Sequence, residues 1–158
     1  MASHIIFAST VLCLIALSIS VTASPQPIGI QKMPVTDACL RCICEGVGQC
    51  RPDTKCEGEV CGMFGITWAY WADSGKPVVS GSKPSDSDAY PKCAVNAYCA
   101  KTAIINYMDK FSEDCNDDGV VDCYDYAAIH KLGGYGCRGS LSEDFKRRFL
   151  SCHNPSIS

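Results

Sequence analysis

The chain has 158 residues, 13 of them cysteine, and a formal net charge of −3. That length supports one domain with a modest core. The acidic balance provides no long-range attraction to nucleic acid or to anionic envelopes, which excludes a nucleic-acid binder and a cationic membrane-active peptide.

The opening stretch, MASHIIFASTVLCLIALSISVTAS, is apolar from Ile5 to Val21 and carries small residues at Val21 and Ala23. It reads as a secretory signal peptide over residues 1–23. A membrane anchor is the poorer reading, because the apolar run is short and interrupted by Ser9, Thr10, Ser18 and Ser20. No later apolar run reaches spanning length, so the expected destination is extracellular. Removal of the signal takes Cys13 with it and leaves an even number of cysteines. In a small secreted chain this reads as a disulfide framework, since an oxidising compartment keeps thiols paired.

Residues 24–38 begin with SPQPIGIQKMPVTD, a Pro-bearing run without periodicity that reads as an extended arm. The cysteine-dense segment 39–61 has too few apolar residues for long regular elements, so short disulfide loops are expected there. Zinc is the rival for Cys39, Cys42 and Cys44, but no partner histidine sits at finger spacing. CGMFGITWAYW, from Cys61 to Trp71, suggests a short strand or turn entering an aromatic cluster. Residues 74–92 have the composition of a surface loop.

From Cys93 the residues Val95, Tyr98, Thr102, Ile105, Met108 and Phe111 recur every three or four positions, the mark of an amphipathic helix. YDYAAIHKL is a second helical stretch, ended by Gly133-Gly134. The last helix begins at Ser140-Leu-Ser-Glu143, read as a capping box, with Phe145, Phe149 and Leu150 on one side. No internal repeat is visible. The fold class is α+β, mainly helical: a disulfide-rich single domain over residues 39–158. Local spacing suggests the pairs Cys44–Cys50, Cys56–Cys61 and Cys93–Cys99.

DCNDDGVVDCYD matches a twelve-residue calcium loop and is similar to dockerin-type EF-hand loops. Asp114, Asn116, Asp118, Val120 through its carbonyl, Asp122 and Asp125 stand at the ligand positions, and Gly119 at the sharp turn. A hard divalent cation needs six to eight converging oxygens. The alternative is a solvated Asp-Gly turn between two helices. Cys115 and Cys123 fall at non-ligand positions, so bridges and metal are compatible.

Taken together, CLRCIC (39–44) with Cys50 six positions on, CGMF, Tyr70-Trp71-x-Asp73-x-Gly75, Cys93, Cys99, Tyr107-Met108, Ala127-x-Ile129-His130, Gly133-Gly134 and Cys137 resemble the invertebrate-type lysozymes, a family that includes the destabilases. The resemblance covers nearly the whole chain after the signal peptide. It implies a lysozyme-like fold and, in active members, cleavage of the β-1,4 link between N-acetylmuramic acid and N-acetylglucosamine in peptidoglycan. It also implies the pairs Cys39–Cys123, Cys42–Cys152 and Cys115–Cys137. No catalytic cofactor is implied.

Such hydrolysis needs one carboxyl group held protonated and a second one ionised, about 5–5.5 Å apart in a retaining enzyme. The family's acid lies three residues after the cysteine matching Cys44, and Val47 stands there. Glu45 lies two residues too early. The segment that should carry the second carboxylate has shrunk to EGEV, leaving Glu57 and Glu59 as candidates that match no family position. The family's cysteines are also absent at Ser74 and Ala103, as the loss of one complete bridge requires, so this edge is expected to be looser. An isopeptidase activity, credited to some members, would need a nucleophile beside a base, and none is visible locally.

Trp68, Tyr70 and Trp71 are candidate sugar-stacking residues, with Trp68 the best placed for exposure and core packing the alternative. His130, near a helix end, reads as a surface cation. The resulting expectation is a secreted protein that acts on or binds cell-wall peptidoglycan or another glycan, with impaired glycosidase catalysis. The alternatives are an active muramidase with a displaced acid, Glu45 or Glu57, and a non-enzymatic secreted interaction protein.

Overall fold

The structure is a computed structural model and describes residues 29–48 and 50–154. The expected signal peptide lies outside the described residues. The arm enters as an extended run whose Gln31–Lys32 form strand β1, and it is followed by helix α1, Asp37–Gly48. This helix corrects the expectation of short loops. Half-cystines are small apolar side chains once bridged, and Cys39, Leu40, Cys42, Ile43, Cys44 and Gly46 are buried on it. Thr36 caps its start: the Cys39 N–H donates to Thr36 Oγ1 at 3.1 Å.

A small antiparallel sheet follows, ordered β2 (Cys56–Glu57), β3 (Val60–Cys61) and β4 (Ile66–Thr67), with Cys61 paired to both Cys56 and Ile66. β4 runs directly into α2, Trp68–Asp73, and Thr67 caps it by accepting from the Tyr70 N–H at 3.2 Å. The CGMFGITWAYW stretch is thus a strand leading into a helix. After the loop come α3, Ala89–Val95, and α4, Ala97–Phe111, separated at Asn96, whose side chain accepts from the Cys99 N–H at 3.0 Å.

α4 is rotated from the face read in the sequence. It buries Cys99, Ala100, Ala103, Ile104, Tyr107, Met108 and Phe111, while Tyr98 is 83% and Ile105 39% exposed. Its small residues lie against neighbours on several sides, and close approach selects Ala and Cys over bulk. The edge at Ser74 and Ala103 is not open, because both residues are buried and Asn106 Nδ2 donates to the Ser74 carbonyl at 3.1 Å.

Strand β5, Val120–Val121, pairs in parallel with β1. Helix α5, Cys123–Leu132, ends at Gly133, whose φ of 84° needs glycine. Helix α6, Glu143–His153, is capped by Ser142 rather than Ser140. It buries Phe145 and Phe149 against α1, and Gly46 makes that approach possible: a Cβ there would lie 2.9 Å from Phe145 Cε2.

Six disulfides staple these pieces. Cys44–Cys50, Cys56–Cys61 and Cys93–Cys99 close local loops. Cys39–Cys123 ties α1 to α5, Cys42–Cys152 ties α1 to α6, and Cys115–Cys137 ties the acidic loop to the segment after α5. Among the described residues no helix is long and apolar enough to cross a membrane.

Candidate binding cleft

The end of α1, the small sheet, α2 and the end of α5 enclose a hollow of about 440 Å³. Val47, Val60, Tyr70, Asp73, Tyr107 and His130 are among its walls. Val47 is half-buried, packs over Gly65, and also borders an adjoining hollow of about 390 Å³. The position where the family resemblance expects an acid is therefore an aliphatic wall.

The candidate carboxylates are dispersed. Glu57 lines the adjoining hollow, not the one that holds His130. Glu59 is exposed at the β2–β3 turn. Glu45 lines a separate hollow of about 400 Å³ with Arg41, Arg147 and Arg148, between α1 and α6. Among the described residues the single carboxylate lining the main hollow is Asp73, whose Oδ1 pairs with Lys110 Nζ at 2.8 Å. An acid working with a second carboxylate is not assembled among these side chains.

His130 is not the surface cation expected. Its Nε2 lies 2.7 Å from the Phe64 carbonyl, so Nε2 carries the proton and donates. Nδ1, 3.2 Å from Tyr70 Oη, then accepts from that hydroxyl. Burial pushes the imidazole down to about 4, so it is neutral at pH 7. Tyr70 stacks on Tyr107 with ring centroids 3.8 Å apart, and Tyr107 Oη accepts the Gly134 N–H at 3.0 Å. Burial raises both phenols, for Tyr70 with a further contribution from Tyr107. The floor is thus an uncharged aromatic and imidazole stack. Every cysteine from Cys39 to Cys152 is bridged, so none of them is a free nucleophile.

The three aromatic candidates separate. Trp71 is core: it is 3% exposed and its Nε1–H donates to the Pro77 carbonyl at 2.7 Å. Tyr70 belongs to the hollow. Trp68 is 57% exposed, with the Lys76 ammonium 5.6 Å from its ring centroid. His130 and Tyr107 come together only in three dimensions; their one sequence signal was membership of the Ala127-x-Ile129-His130 and Tyr107-Met108 motifs.

The acidic loop is a self-bonded turn. Asp114 Oδ1 and Oδ2 accept from the N–H groups of Asp118 and Gly119 at 3.2 and 2.9 Å. Asp118 Oδ1 accepts from the Val120 N–H, and Asp122 Oδ1 from the Tyr124 N–H. Asn116 turns its amide N–H toward Asp118 Oδ2 at 2.9 Å. Asp125, fully buried where a bidentate ligand is needed, accepts from Cys115 and Asp122 N–H groups at 2.8 Å each. Among the described residues no group of three or more His, Cys, Asp or Glu side chains could hold a metal ion, so the four aspartates of the expected donor set do not converge as a calcium site requires.

Helices around a small sheet, a cleft between them and dense stapling define a lysozyme-like domain. The chain superposes on Meretrix lusoria lysozyme in its complex with Aeromonas hydrophila PliI with a TM-score of 0.58 at 29% identity, covering 79% of this chain and 95% of that one. Tapes japonica lysozyme shares the fold, with a TM-score of 0.56. The destabilase family model matches residues 36–152, and the chain belongs to this family of invertebrate-type lysozymes. It is 34% identical over 120 residues to Lysozyme 1 of Crassostrea virginica, covering 72% of this chain and 58% of that relative's length. It is 30% identical over 118 residues to invertebrate-type lysozyme 3 of Caenorhabditis elegans, covering 72% and 84% of the two chains.

Proposed function

We propose that this chain is a secreted glycan-binding member of the family, directed at cell-wall peptidoglycan, whose glycosidase chemistry is impaired. The observation that carries the reading is Val47, an aliphatic side chain on the wall of the cleft. A valine has no proton to deliver to a leaving oxygen, and general acid catalysis alone supplies about 10²–10⁴-fold. The dispersal of Glu45, Glu57 and Asp73 over separate hollows supports the same conclusion. Six disulfides support maturation in an oxidising compartment. Exposed Trp68 and the rim of Tyr70 are the proposed contacts with sugar rings.

The test is lysis of a Gram-positive wall suspension alongside sedimentation with insoluble peptidoglycan. The proposal expects no lysis above buffer and retention on the pellet, reduced by Trp68→Ala. A second reading, hydrolysis with Glu57 as a displaced acid, draws on its place in the hollow that adjoins Val47. Lysis abolished by Glu57→Gln would establish that reading and end the first. Neither lysis nor retention on the pellet would leave a non-enzymatic interaction protein.

A further inference from the structure

The acidic loop, having no role in the cleft, raises its own question: what balances its charge. Glu113, Asp114, Asp117, Asp118, Asp122 and Asp125 lie within thirteen residues of chain. Backbone N–H groups take up many of their oxygens but bring no full positive charge. One such charge comes from Arg138, which pairs with two of the six carboxylates. Its Nε donates to Glu113 Oε1 at 2.9 Å, one terminal nitrogen to Asp117 Oδ2 at 2.6 Å, and the other to the Asp114 carbonyl at 2.8 Å.

A guanidinium is planar and presents donors in a fixed fork, so one side chain spans three acceptors at known angles. It reaches them because its neighbour Cys137 is bridged to Cys115, the second residue of the loop. The bridge holds the arginine backbone beside its acceptors, which reduces the ordering that the contacts require. The same stretch makes a tight turn: Asp117 has φ 59° and Gly119 φ 90°. A carboxylate tied to Arg138 at residue 117 and carboxylate-bound amides at residues 118 and 119 hold the chain through that bend.

We propose that Arg138 is a built-in cation of the Asp114–Asp125 loop, holding it folded without a divalent metal, and that the loop, whose acidic side chains form no metal-holding group among the described residues, does not bind calcium despite its spacing. Asp125 points the same way, since its carboxylate is buried under the loop and committed to two backbone donors. The guanidinium closes the loop from outside while Asp125 closes it from inside.

The experiment is a thermal melt of the wild-type protein in EDTA and in 10 mM calcium, with amide hydrogen exchange at Asp118 and Gly119. Extracellular calcium modules bind at about 10⁻⁴–10⁻³ M, so 10 mM saturates such a site. The expected result is the same Tm in both buffers. Arg138→Gln is expected to lower Tm by a few degrees and to speed exchange of the two amides about tenfold, with Arg138→Lys between it and the wild type. A saturable rise of the wild-type Tm with calcium would overturn the proposal whether or not the variants fold. Wild-type exchange at Gly119 in a folded Arg138→Gln would overturn it equally.

Discussion

Acidification should loosen this domain through one residue, His130. Its imidazole is held neutral under the cleft by burial, with a pKa lowered from 6.5 to about 4. The unfolded chain binds that proton near pH 6.5 and the folded chain only near 4, so between these values the unfolded state carries more protons. Stability then rises with pH through the window, is fully present above about 6.5, and is lost as pH falls toward 4. A difference of that size corresponds to roughly 3 kcal/mol at full protonation, an upper figure because His130 is only half-buried. At pH 5 the expected loss relative to pH 7 is about 2 kcal/mol, or a fall in Tm of about 5–10 °C for a domain of this size. The measurement is a series of melts from pH 7 to 4.5 on the wild type and on His130→Gln, which keeps an amide donor for the Phe64 carbonyl and cannot titrate. Carboxylates, including Asp125, whose pKa burial raises, contribute to both proteins and cancel in the comparison. Parallel curves for the two proteins would refute the reasoning.

Gly62→Ala should cost about 3 kcal/mol or more, because its φ is 74° and a Cβ would sit 1.9 Å from the Ala94 backbone oxygen; a urea midpoint equal to the wild type's would contradict this. Removing the Cys42–Cys152 bridge by a double alanine substitution leaves Cys39–Cys123 in place, so the loop that it opens is about 30 residues by way of that bridge, and chain entropy predicts a loss of about 3–4 kcal/mol in the same assay. Val47→Glu should not confer wall lysis, since the new acid would lack a second free carboxylate across the cleft, and it should cost about 1–2 kcal/mol for placing a carboxyl beside Gly65 and Val60. Vigorous lysis by that variant would mean that Asp73 leaves Lys110 and serves as the partner.

Much of the fold was legible because it rests on local chemistry. Gly133 stopped α5, serine capping opened α6 within two residues of the expected place, and cysteines five or six apart closed small loops. Periodicity failed where burial was carried by small side chains. α1 buries half-cystines and a glycine, which hydrophobic patterning does not count, and α4 turns Ala100 and Ala103 inward where bulkier residues seemed to mark the face.

What the sequence by itself determined is a valine three residues after Cys44, with Cys50 six positions on from Cys44, where the resemblance to the family implies an acid. Where each glutamate points was decided only by the tertiary structure. Residues advance about 100° around a helix, so Glu45 and Val47, two apart on α1, emerge on nearly opposite sides. One meets the arginines of α6 and the other the cleft, and it took the packing of α6, the sheet and α5 around α1 to give those two sides different surroundings.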